Sequence, residues 1–139
     1  MLYEKVFLSL AGKEDESKAI EESMRIASVL KAKLTVVHIN DPGAGMPHMM
    51  MDTLPKVTED DMIDLFVKAG FGHQVSDIEF RLIDDESYAR AIATATREAD
   101  LLIMGHHPKN KLMALLTDST DERVADLIRC PIMLVPLDG

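Results

Sequence analysis

The chain has 139 residues, 47% of them hydrophobic and 28% charged, with a formal net charge of −9. That balance predicts one globular domain over residues 1–139 and excludes a disordered or fibrous chain. The acidic surplus, without clustered Lys and Arg to replace counterions, argues against nucleic acid and anionic lipid as partners.

No apolar stretch approaches the roughly 20 residues of a membrane-spanning helix. The first residues, Met1 to Lys5, lack the basic flank and apolar core of a secretory signal, so a cytoplasmic location is expected. The single cysteine, Cys130, fits a reducing compartment and reads as a small core residue rather than a reactive thiol.

In chain order, Lys5 to Leu10 is a short apolar run ended by Ala11-Gly12, as in a buried first strand. Helical spacing follows from Glu14 to Lys31, with Ile20, Met24, Ala27 and Leu30 on one face. Glu14, Asp15, Glu16, Glu21, Glu22 and Arg25 are expected in solvent, the first acids favoured by the helix dipole. Leu34 to Ile39 is apolar on both sides and predicts a central strand, in which His38 reads as a satisfied core histidine.

A loop rich in Gly, Pro and Met precedes a second helix opened by Thr58-Glu59-Asp60-Asp61 and closed at Gly70. Ile78 to Leu82 alternates, as a half-exposed edge strand does. A helix from Glu86 to Glu98 presents Ala89, Ile92, Ala93 and Thr96 on one face. Leu101 to Gly105, a fourth helix around Ser119 to Arg129, and a last strand Ile132 to Val135 between Pro131 and Pro136 complete the chain.

Strands alternating with helices at this spacing predict a doubly wound α/β fold, with a parallel sheet and helices on both faces. In such sheets ligands sit beyond the carboxyl ends of the strands, where strand order reverses. Function is therefore sought after Leu10, Ile39 and Met104.

At those places the chain resembles the universal stress protein family. The resemblance rests on LSLAGKEDES at the first strand, Val36-Val37-His38-Ile39, Ala99-Asp100-Leu101-Leu102-Ile103-Met104-Gly105, and Cys130-Pro131-Ile132-Met133-Leu134-Val135-Pro136. It covers nearly the whole length. The resemblance implies an open five-stranded parallel sheet of order 3-2-1-4-5, a cytoplasmic stress-response role, and a homodimer formed through the last strand at Ile132, Met133, Leu134 and Val135. An apolar edge strand is in any case an aggregation hazard unless something covers it.

ATP-binding members of that family carry G-x2-G-x9-G-[ST] after the fourth strand and an aspartate at the end of the first. Here Gly105 holds the first position, but Pro108 and Asp118 replace the second and third glycines, Ser119 keeps its type, and Ala11 stands in place of the aspartate. Pro108 has no N–H to offer a phosphate. Asp118, Asp121 and Glu122 bring like charge, at roughly 3 kcal/mol per carboxylate–phosphate pair about 5 Å apart in an effective dielectric of about 20. Ser119-Thr120-Asp121-Glu122 also fits a capping box that satisfies the fourth helix internally.

The expectation is a protein that is not an enzyme, needs no cofactor and acts through protein contacts. The alternative is a nucleotide sensor binding ATP with Mg²⁺ at Gly12, Ile39, Met104, Gly105, Ser119 and Thr120, slow hydrolysis included. Mg²⁺ shared between phosphate and Asp118 or Asp121 would supply the missing countercharge.

Other constellations are weaker. Met46-Pro47-His48-Met49-Met50-Met51 holds four of the ten methionines; its soft donors suit Cu(I), but an adaptable lid or contact surface explains it equally well. His106-His107 lacks a third ligand and reads as a loop contact, so no metal site is expected. Hydrolase, P-loop, zincin and C-x-x-C signatures are absent. Asp84-Asp85 imitates a response-regulator pocket only in part, because the first strand ends Ala-Gly-Lys.

Overall fold

The computed structural model describes residues 3–42, 56–106 and 120–137, with only the backbone of Glu14 and residues 120–123. The elements are β1 (Lys5–Ser9), α1 (Ser17–Leu30), β2 (Lys33–Asn40), α2 (Glu59–Lys68), β3 (Glu79–Asp84), α3 (Tyr88–Ala95), β4 (Leu101–His106), α4 (Thr120–Leu127) and β5 (Ile132–Pro136). The five strands form one sheet in the order β3-β2-β1-β4-β5, every pairing parallel. The expected doubly wound sheet and its order are thus present.

The period-2 alternation of β1 divides the core between two faces. Val6, Leu8 and Leu10 pack with Ile20, Met62, Phe66 and Ile103 beneath α1 and α2. Phe7 faces the other way, with Val37, Ile92, Leu102, Met104 and Val124, beneath α3 and α4. Burying a side chain of this size stabilises by roughly 1.5–3 kcal/mol, so the two layers hold the strand ends in fixed relation. At the β3 edge Phe80 meets Phe66 edge to face, with ring centroids 5.5 Å apart.

The ends of α2 follow the sequence signals, whereas α3 is shorter than the expected Glu86 to Glu98, running from Tyr88, with Ser87 accepting from the Arg90 N–H, to Ala95. Thr58 caps α2 by accepting from the Asp61 N–H, while the Asp61 carboxylate accepts from the Thr58 N–H at 2.8 Å. Gly70 takes φ +97° just past the helix. In α1 the face differs from expectation: Ser23 is fully buried, its hydroxyl donating to the Ala19 carbonyl, whereas Leu30 is exposed. A hydroxyl satisfied within its own helix can be buried in place of an apolar group.

The largest departure concerns Glu16. A 3-10 turn at Glu14–Glu16 precedes α1, and the turn carries Glu16 inward to 6% exposure instead of leaving it in solvent. No helix among the described residues is long and apolar enough to cross a membrane.

Candidate functional site

The carboxyl ends of β1 and β2, the loop after β1 and the start of α2 enclose a cleft of about 530 Å³. Ala11, Gly12 and Lys13 form one wall, Ile39 and Asn40 the floor, and Val57 with the α2 face of Asp61, Asp64, Leu65 and Lys68 the far side. The chain reaches this geometry because the loop after β1 carries a residue that tolerates a left-handed backbone: Gly12 has φ +85°. A side chain there would be doubly resisted, since a Cβ on Gly12 would lie 2.6 Å from a Val57 methyl carbon.

Three successive N–H groups of this loop point at one carboxylate. Ala11 donates to Glu16 Oε1 at 2.7 Å, and Gly12 and Lys13 donate to Oε2 at 3.1 and 3.4 Å. Successive backbone donors of this kind form an anion-binding concavity, and here the chain fills it with its own side chain. Burial pushes the Glu16 pKa above the ordinary glutamate value, outweighing the three donors that pull it down, and neighbouring Asp15 adds to the rise.

Asn40 fixes the opposite wall. Its amide nitrogen donates to the Val57 carbonyl at 2.8 Å, and its oxygen accepts from the Val57 N–H at 3.2 Å. The amide orientation is therefore set by the backbone it holds. His38, 7% exposed, places Nδ1 2.7 Å from the Leu10 carbonyl and Nε2 3.0 Å from the Asn40 side-chain oxygen. His38 is the satisfied core histidine the sequence implies, and it ties the ends of β1 and β2 to the Val57 segment.

Of the expected nucleotide-site residues, Gly12 and Ile39 line this cleft. Met104 is 5% exposed and packs with Phe7 and Val37 under α3 and α4, so its side chain belongs to the core. Gly105 has a packing reason of its own: a Cβ there would stand 2.6 Å from Leu137, which is 2% exposed and anchored through its N–H to the His106 carbonyl. Thr120 is the first described residue of α4. Ser119, Pro108, Asp118 and His107 lie outside the described residues, as do the side chains of Thr120, Asp121 and Glu122, and the Met46 to Met51 segment.

The last strand lies at the sheet edge, as expected. Leu134 faces outward and is 43% exposed, Ile132 and Met133 are half-buried, and Val135 turns into the core. A groove of about 540 Å³ runs between this strand and Lys18, Glu21, Glu22 and Arg25 of α1. Cys130 is half-buried, and burial raises its pKa, which keeps it a thiol. No group of three or more His, Cys, Asp or Glu arranged to hold a metal occurs among the described residues.

Sequence reasoning missed Glu16, Asn40 and Val57 as determinants of the cleft. The available signal was a glutamate four residues beyond the turn glycine, at a spacing that lets it reach back to the loop N–H groups.

The model of the universal stress protein family matches residues 2–136. Among solved structures, the chain is similar to a universal stress protein in complex with cAMP, at 19% identity and a TM-score of 0.69 over 98% of both chains. It is also similar to a universal stress family protein from Burkholderia pseudomallei, at 24% identity and a TM-score of 0.59 over 96% of both chains. A third, the universal stress protein from Archaeoglobus fulgidus in complex with dAMP, shares 15% identity and a TM-score of 0.58 over 96% of this chain and 98% of that one. A search of curated proteins finds no match.

Proposed function

This chain belongs to the universal stress protein family, and from that premise we propose that it is a single-domain, cytoplasmic stress-response protein that is not an enzyme, with its nucleotide cleft closed from within. It acts through protein contacts as a homodimer joined along the β5 edge. The observation that carries this reading is the Glu16 carboxylate seated on the N–H groups of Ala11, Gly12 and Lys13, with Val57 pressed against Gly12. A ligand anion entering there must displace a carboxylate held by its own chain. The losses after β4, where Pro108 and Asp118 replace glycines, work in the same direction.

For the dimer, support comes from the exposed Leu134 on a strand edge that pairs with no further strand among the described residues. Leu134, Ile132 and Met133 supply the contact, while Val135 supports it from inside the fold. Leu134→Asp is expected to convert a dimer to a monomer in sedimentation velocity; an unchanged mass for the variant would remove β5 from the interface.

One observation favours the second reading, a nucleotide sensor using Mg²⁺ at Gly12, Ile39, Gly105 and Ser119. The cleft keeps the volume of a small-molecule site, and two structures it resembles hold cAMP and dAMP. Thermal unfolding with and without millimolar ATP–Mg²⁺ separates the two. The closed cleft predicts no shift in midpoint, whereas a ligand at 100 times its dissociation constant would stabilise the fold by about 2.7 kcal/mol, and such a shift would establish the sensor.

A further inference from the structure

The opposite end of the sheet carries the stronger anion chemistry. In right-handed crossovers the helices run antiparallel to the strands, so the C-terminal ends of α3 and α4 lie where the strands begin. Between them is a cavity of about 480 Å³ lined by Arg90, Arg97 and Arg129, with Thr94 and Leu127. Arg90, Thr94 and Arg97 recur at helical spacing along the α3 face and just past its end, and Arg129 arrives from just beyond α4.

Half of the arginines in a chain of net charge −9 thus converge on one concavity, and no carboxylate lines it among the described residues. Arg90 uses one nitrogen on Asp85, at 3.1 Å, with its side chain 69% exposed. The neighbouring Glu98 carboxylate is turned away, toward Lys5 and Arg81. The helix dipole favours a cation just past the ends of α3 and α4, where Arg97 and Arg129 stand, but not at Arg90 in the first turn of α3. It does not account for three meeting on one wall, where they repel one another.

We infer that this cavity is a second binding site, separate from the cleft, for a small organic phosphate bearing two or more negative charges. Guanidinium groups grip phosphate oxygens in pairs through parallel N–H donors, and the Thr94 hydroxyl adds a donor on the same wall. Leu127, half exposed beside the arginines, gives an apolar floor for the organic part. The volume falls in the range of small-molecule sites.

The test uses titration calorimetry with inorganic pyrophosphate, inorganic phosphate and phenyl phosphate at matched ionic strength. Pyrophosphate is expected to bind, and Arg97→Ala and Arg129→Ala each to weaken it by roughly ten- to hundredfold, while Arg25→Ala on α1 leaves it unchanged. Phenyl phosphate is expected to bind more tightly than inorganic phosphate, and Leu127→Ser to erase that advantage. Circular dichroism verifies that each variant is folded. Absence of pyrophosphate binding at millimolar concentration overturns the site, as does binding that both arginine variants retain, or heat that sodium chloride at the same ionic strength reproduces. Because Arg97 and Arg129 lie outside the cleft, loss of binding in their variants reports on this cavity whether or not ATP binds the cleft.

Discussion

The two ends of the sheet treat anions in opposite ways. At the carboxyl ends of the strands, backbone donors are assembled as a doubly wound fold assembles them, yet Glu16 already occupies them. Toward the amino ends the donors are side chains, Arg97 and Arg129 just past α3 and α4 with Arg90 from the first turn of α3, and no carboxylate is among the described lining residues. Donors alone therefore do not define a site. What matters is whether the chain has spent them on itself, and a buried carboxylate four residues past a turn is enough to do so.

The largest expected effect breaks the closed end. Gly12→Ala imposes a Cβ on a left-handed backbone and against Val57, and is expected to destabilise by about 2–4 kcal/mol in urea unfolding. Val57→Ala in the same chain should recover the part due to contact and leave the backbone strain. If the double variant is no more stable than Gly12→Ala alone, Val57 is not what fills the wall.

Next in size is removal of the Glu16 carboxylate. Glu16→Ala leaves the N–H groups of Ala11, Gly12 and Lys13 without their acceptor, at an expected cost of about 1–3 kcal/mol. Asn40→Ala, which strips Val57 and His38 of a shared partner, is expected to fall in the same range of about 1–3 kcal/mol.

A subtler probe is pH. The Glu16 pKa lies above its ordinary value because of burial, so the folded chain holds that proton more tightly than the unfolded chain. Its contribution to stability is complete below the ordinary glutamate value and is lost as pH rises through the raised one. Asp85, which accepts from the Ser87 N–H and from Arg90, and Asp100, which accepts from the Lys5 and Glu4 N–H groups, have lowered values. Their contributions are present above the ordinary aspartate value and lost as pH falls through the lowered one. Glu16→Gln should remove the first dependence and leave the second, so stability curves of the two proteins that run parallel across the whole range would refute the assignment.

The smallest effect belongs to the open end. Arg97 and Arg129 are exposed, so replacing either by alanine should change stability by no more than about 0.5 kcal/mol. A larger loss would mean that the arginines hold α3 and α4 together rather than await a ligand.

Much of the fold was legible along the chain, because the signals are local. The two-sided apolar run of β2 marked a central strand, the alternation of residues 78–82 marked an edge, and Thr58 with Asp61 and Gly70 marked both ends of α2. Each is a pattern that a few neighbouring residues impose through sterics and capping, and parallel pairing then follows from right-handed crossovers, while the order 3-2-1-4-5 is what the family resemblance implied. The cleft was legible only in part: Gly12 and Ile39 lie in it, Met104 lies in the core.

What the residues alone determined was the class of fold, both ends of α2 and the replacement of the phosphate-loop glycines. Tertiary structure decided the rest. Glu16 reaches the loop through a local turn, but the hold of Asn40 on Val57 across the cleft, and the lining of one cavity by Arg90, Arg97 and Arg129, depend on segments that packing brings together, α3 beside α4 for the latter. Burial and charge convergence are properties of a neighbourhood assembled from distant segments, and no local periodicity encodes them.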